Sequence, residues 1–223
     1  MAERILITGA GSGIGAACAR HYMDKGWDVM GVGRRAEGPA GVRWIQADLE
    51  TAAGIEAAAA GSERLGAVIH AAGDFVVATM EATTPAEFER IWRVTVWARH
   101  ALTRALLPRL GAEAGAAARA VVHVASLAVH HDFAQETAYT SAMHAVVGLA
   151  RAQDAELRGR GIRVSVLSPG LVRTPLTERH FGADVLAGAL APEAMAASAA
   201  HLIETVRTGG YIAEIFHVPQ NSV

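Results

Sequence analysis

Short β-branched runs alternate with longer alanine-rich segments along the chain. Several of these runs lack the inside–outside alternation of a half-solvated strand, as expected where helices cover both faces of a sheet. The pattern predicts strands near Ile5–Ile7, Asp28–Val32, Arg43–Gln46, Ala67–His70, Ala120–Ala125, Arg163–Leu167 and Tyr211–Phe216. Between them it predicts helices near Ile14–Lys25, Thr51–Ala60, Pro85–Leu110, Tyr139–Arg160 and Pro192–Thr208. Pro85 and Pro192 sit where a first-turn proline is tolerated, and Thr84 is placed to cap the first of these helices. Repeated βα units imply parallel neighbours joined by right-handed crossovers. The expected fold class is α/β, a doubly wound parallel sheet of about seven strands with helices on both faces. No linker, repeat or charge run divides the chain, so residues 1–223 are expected to form a single domain.

Composition narrows the function. A 52% hydrophobic, 19% charged chain can bury a core and does not read as disordered. Lysine plus arginine (20) against aspartate plus glutamate (22) leaves a net charge of −2 without clusters, so no nucleic-acid or anionic-membrane partner is expected. No apolar run reaches the ~20 residues of a membrane span, and the N-terminus lacks a signal-peptide layout. A lone Cys18 cannot form an internal disulfide, which makes a reducing, cytoplasmic setting the expectation. No Cys/His spacing resembles a metal ligand set, so no metal is expected. Lys25 and Asn221 are the only lysine and the only asparagine.

Directly after the first strand comes Thr8-Gly9-Ala10-Gly11-Ser12-Gly13-Ile14-Gly15, opening a helix. A pyrophosphate needs backbone N–H groups at a helix N-terminus, and glycine supplies both the sharp turn and the clearance. The strand before and the helix after make this a nucleotide site rather than an ordinary loop.

The spacing Gly9-x-x-x-Gly13-x-Gly15 resembles the short-chain dehydrogenase/reductase family, a Rossmann-type fold, and the resemblance continues in order along almost the entire chain. Asp48-Leu49 resembles the family's adenine-contacting aspartate element. His70-Ala71-Ala72-Gly73 resembles its Asn-Ala-Ala-Gly element, with histidine in first place. Ser126 and Tyr139, 13 residues on, match its catalytic serine and tyrosine. The stretch Ser168-Pro169-Gly170-Leu171-Val172-Arg173-Thr174 matches the Pro-Gly-x-Val-x-Thr segment beside the nicotinamide. The resemblance implies a cofactor grip from Gly9, Gly11, Ser12, Gly13, Ile14, Gly15, Asp48, Leu49, Ala71, Ala72, Gly73, Tyr139, Pro169, Gly170, Val172 and Thr174. It also implies a homodimer or homotetramer built on the two long helices. Tyr211–Gln220 resembles the ending of NADP-linked members of the family.

NAD specificity in such sheets needs an acid at the end of the second strand. Here Gly33 is followed by Arg34-Arg35, two guanidiniums suited to a 2′-phosphate, so NADP(H) is the expected cofactor. By resemblance Tyr139 is the proton donor and Ser126 binds the substrate oxygen. The family places a lysine four residues after the tyrosine, where its charge lowers the tyrosine pKa. That position is Met143, and Thr95 stands where the family carries an asparagine. His144 is turned about 100° away and cannot simply take the lysine's place. Histidines 70, 123, 130 and 131 are expected around the strand ends, with His130 or His131 able to reach over a substrate. The leading expectation is NADPH-dependent reduction of a small carbonyl or related unsaturated compound. Two alternatives stand beside it: an NADP(H)-binding protein without redox turnover, and the same fold reused for non-redox acid–base chemistry.

Overall fold

The computed structural model describes residues 3–111 and 117–217. Seven strands form one parallel sheet: β1 (Arg4–Thr8), β2 (Asp28–Gly33), β3 (Arg43–Gln46), β4 (Ala67–His70), β5 (Arg119–Val124), β6 (Ile162–Pro169) and β7 (Glu214–His217). Their order is β3-β2-β1-β4-β5-β6-β7. The central strands β4 and β5 are buried along their whole length, whereas the edge strands β3 and β7 are half-exposed. This is why the central apolar runs need no alternation. The last strand is shorter than expected: Tyr211 stands outside it, its hydroxyl donating to the Val164 carbonyl at 2.9 Å beneath the Arg163 guanidinium.

Helices α1 (Gly13–Asp24) and α7 (Pro192–Arg207) cover one face of the sheet. The other face is covered by α2 (Ala52–Ala60), α4 (Ala98–Leu110) and α5 (Thr137–Leu157). A short α6 (Ala183–Leu186) lies in the segment after β6. Burying Leu6, Leu102, Leu106 and Ile162 completely between these layers stabilises the fold by roughly 1.5–3 kcal/mol each. The helix expected over Pro85–Leu110 is interrupted. It starts as α3 (Pro85–Trp92), where Thr84 and Glu87 form a reciprocal capping box, and then passes through a π-helical turn at Arg93–Trp97 before α4. Such turns often mark functional positions, and this one contains Thr95.

Strand order reverses between β1 and β4, so a crevice opens above their carboxyl ends. Thr8, at the end of β1, accepts hydrogen bonds from the Ala71 and Ala72 N–H groups at 3.1 and 3.0 Å, tying the two halves together there.

Candidate active site

A cavity of about 510 Å³ lies over the ends of β4, β5 and β6. Its wall brings together Ile14, Ala71, Gly73, Ser126, Tyr139, Pro169, Gly170, Val172 and Thr174, all singled out in the sequence. Phe75, Leu127, Leu176, Phe181 and Val185 make much of the rest apolar. The loop after β6 contributes little polarity: Phe181 turns inward, and His180 packs edge-on against Phe75.

Ser126 leaves β5 in extended conformation, and its Oγ accepts a hydrogen bond from the Ala128 N–H at 3.2 Å, which fixes its rotamer. Tyr139 lies in the first turn of α5, its ring held edge-on by Phe75 at 4.6 Å between centroids. The Ser126 and Tyr139 side chains line the same cavity. Burial pushes the Tyr139 phenol above its ordinary pKa of 10; the neighbouring Ser126 hydroxyl opposes this, the Glu136 carboxylate adds to it and the Arg99 charge opposes it. At neutral pH Tyr139 is therefore a phenol, able to donate a proton.

One turn along α5, Met143 is 3% exposed and packs into the core while its edge forms part of the cavity floor. Thr95 is fully buried, and its Oγ1 has no partner among the described residues. Arg99, four residues further, is 3% exposed. Its Nη1 donates to the Val124 carbonyl at 2.7 Å and its Nη2 to the Ala72 carbonyl at 3.2 Å. Burial lowers its pKa to about 10, which still leaves it charged at neutral pH. Glu136, at the cavity wall, has its pKa raised to about 7 by burial. Sequence reasoning missed Arg99 and Glu136: in a chain this rich in arginine, a lone Arg on a helix reads as a solvated face. The inward faces of α4 and α5 were legible only as apolar stripes.

The histidines divide. His70 and His123 are register partners on β4 and β5, buried and stacked at 4.8 Å below the cavity rather than in it. Their Nε2 atoms hydrogen-bond with Thr103 Oγ1 and Gln153 Oε1, and burial pulls the His123 pKa down to about 3. Both are neutral core groups. His130 turns away to Glu214 on β7 at 2.9 Å, whereas His131 lines the cavity. Trp92 donates to Ser141 on α5 at 3.4 Å, and Trp97 packs against the core. Val218–Gln220, the end of the family-like C-terminal stretch, lies outside the described residues.

The glycine turn fits a dinucleotide pyrophosphate. Gly9 and Gly13 adopt positive φ, and a Cβ on Gly15 would lie 2.3 Å from the Gly9 carbonyl oxygen. A Cβ on Gly13 would meet Thr174 at 3.0 Å, so this turn and the segment after β6 close on each other. No side chain caps α1, and its first turn holds no acid, which leaves the N-terminal N–H groups to an anion. Beside it, Arg35 Nη1 donates to the Gly11 carbonyl at 3.3 Å, and the exposed Arg34 lies 3.9 Å from Glu50. Trp44 and Gln46 on β3 donate to the Arg35 and Arg34 carbonyls at 2.9 and 3.2 Å, anchoring both arginines from behind. Leu49 is buried in the core, while Asp48 is exposed and accepts from the Glu50 N–H at 3.0 Å. These residues form an arm running away from the cavity.

Residues 3–184 match the model of the short chain dehydrogenase family. The chain is 32% identical over 191 residues to D-threitol dehydrogenase of Mycolicibacterium smegmatis, covering 79% of this chain and 72% of that protein. It is 30% identical to serine 3-dehydrogenase of Agrobacterium fabrum, covering 79% and 75%. In fold it superposes on the NADH complex of 3-ketoacyl-(acyl-carrier-protein) reductase from Brucella melitensis with a TM-score of 0.89 at 24% identity, over 99% of this chain and 98% of that one. Matched along most of its length and built on the same seven-stranded sheet, the chain belongs to the short-chain dehydrogenase/reductase family of oxidoreductases.

Proposed function

We propose that this protein is an NADPH-dependent reductase of small, predominantly apolar carbonyl compounds. The observation that carries the reading is that Ser126 and Tyr139 line one cavity, walled also by Phe75, Leu176, Phe181 and Val185. Preference for NADP(H) is supported by Arg34 and Arg35 at the end of β2, where an NAD enzyme needs an acid. The pyrophosphate is held by the Gly9–Gly15 turn, and Ala71, Gly73, Pro169, Gly170, Val172 and Thr174 surround the nicotinamide end. When bound, the reduced nicotinamide supplies a hydride to the carbonyl carbon. Ser126 hydrogen-bonds the carbonyl oxygen, and Tyr139 gives that oxygen a proton as C=O becomes CH–OH. The tyrosinate left behind takes its next proton from solvent. The protein acts as a homo-oligomer in the cytoplasm.

The test is NADPH oxidation with a panel of apolar and polar ketones and aldehydes. Turnover should favour the apolar members and NADPH over NADH, and Arg35→Ser should weaken NADPH about 10–100-fold while sparing NADH. Tyr139→Phe should cost on the order of 10²–10⁴ in rate. Undiminished turnover in Tyr139→Phe would remove it from the chemistry. Tight NADPH binding with no turnover on any carbonyl would favour the non-redox reading that the buried Met143 suggests.

A further inference from the structure

In this family the cation beside the tyrosine comes from a lysine one helical turn along, and here that turn ends in a buried methionine. The chain nevertheless buries a guanidinium against the cavity that Tyr139 lines, from a different helix. We propose that Arg99 of α4 is the positioning residue whose fixed positive charge serves Tyr139 in place of the missing lysine, stabilising the tyrosinate left after proton donation. The inference rests on the reading of Tyr139 as proton donor.

Three geometric observations carry it. Arg99, on α4, lines the same cavity as Tyr139, Ser126 and Met143. It is held there by carbonyls, Val124 two residues before Ser126 and Ala72 next to Gly73, and makes no ion pair with a carboxylate among the described residues. Its charge is thus not spent on a structural salt bridge. Its Nε has no partner among the described residues, and a Cβ at Gly73 would lie 3.8 Å from Nη2 and 3.9 Å from the unpartnered Thr95 Oγ1. A charge buried this deeply costs several kcal/mol unless something compensates it, so its retention without a carboxylate calls for a use.

The other charges facing this pair are accounted for. Glu136 opposes Arg99 in its effect on Tyr139, and Asp74 is engaged by Arg90. Asp132 and His131 stand exposed across the cavity. Beneath Arg99, His70 and His123 stay neutral, partly because its charge disfavours a second cation there.

The test reads Tyr139 directly, without substrate or cofactor. With fluorotyrosine in place of the protein's three tyrosines, fluorine NMR follows each phenol, and Tyr139→Phe identifies the Tyr139 signal. Arg99→Gln, which keeps amide donors for the two carbonyls but loses the charge, should raise the proton affinity of Tyr139 about tenfold. Arg99→Lys should keep it within about threefold, and Arg99→Gln/Met143→Lys should return it towards the parent value. Equal behaviour of the Gln and Lys variants, or no shift in Arg99→Gln, would overturn the proposal. Failure of both Arg99→Gln and Arg99→Met to melt cooperatively, with Arg99→Lys intact, would assign Arg99 to the fold alone and overturn it too. A shifted Tyr139 titration in a protein that reduces no carbonyl would sink the proposed reaction and leave this pairing standing.

Discussion

The two halves of the site are built from different materials. The nucleotide arm is made of backbone: glycines at positive φ, an uncapped helix end and close contacts that a single Cβ would block. The catalytic floor is made of side chains brought in by α4, α5 and the loop after β5. By resemblance, the glycine spacing of the first half follows the family's pattern, whereas the second departs from it at Thr95 and Met143. Where φ is positive, a side chain adds strain, so glycine is strongly preferred. A charge, by contrast, acts through space and can be delivered from a neighbouring helix.

The largest effect that would break this contrast is expected in the arm. Gly15→Ala places a Cβ 2.3 Å from the Gly9 carbonyl oxygen, so it should cost about 3 kcal/mol or more in chemical denaturation and abolish NADPH binding. A freely tolerated Gly15→Ala would mean that the turn is not rigid. Next comes Met143→Lys, which restores the family's residue but puts a second cation beside Arg99. We expect a loss of about 2 kcal/mol, because one side of the site already carries the charge. In an Arg99→Gln background the same change should cost less, by about 1 kcal/mol in a double-mutant cycle. Additive costs would show that the two positions do not share one electrostatic task.

A kinetic asymmetry follows from the raised Tyr139 pKa. Reduction uses the phenol and should stay flat from about pH 6 to about pH 9. Alcohol oxidation needs the tyrosinate and should rise about tenfold per pH unit over the same range. A flat oxidation profile would place the base elsewhere, with His131 the first residue to test.

The smallest effect belongs to Glu136, whose pKa is raised from 4.5 to about 7 by burial. The folded protein then holds a proton that the unfolded chain has released between these values, so this group favours folding less as pH climbs from 4.5 to 7. Glu136→Gln should leave the Tm nearly unchanged below about pH 4 and raise it increasingly up to about pH 7, above which the difference levels off. An equal Tm difference at both pH values would show that the carboxyl titrates normally.

Much of this was legible in the sequence for a definite reason. The strands buried on both faces had to be continuous apolar runs, and the glycine turn had to read as it does because each position is set by local backbone conformation. Ser126 and Tyr139 were legible through the resemblance of their order and spacing to the family's serine and tyrosine. The interruption at Arg93–Trp97 was not, because its apolar pattern satisfies an α-helix equally well. Nor were His70 and His123, which belong to the core although their place at strand ends pointed to the site.

By itself, then, the sequence determined the fold class, the nucleotide turn, the serine–tyrosine pair and the absence of a lysine or second asparagine to complete it. Only the tertiary structure decided that Met143 closes an apolar floor, that Glu136 faces the cavity and that Arg99 is buried against the cavity that Tyr139 lines. Local conformation and spacing are written along one segment of chain. The environment of a charge depends on which residues distant in sequence exclude water from it, and that exists only once the layers have packed.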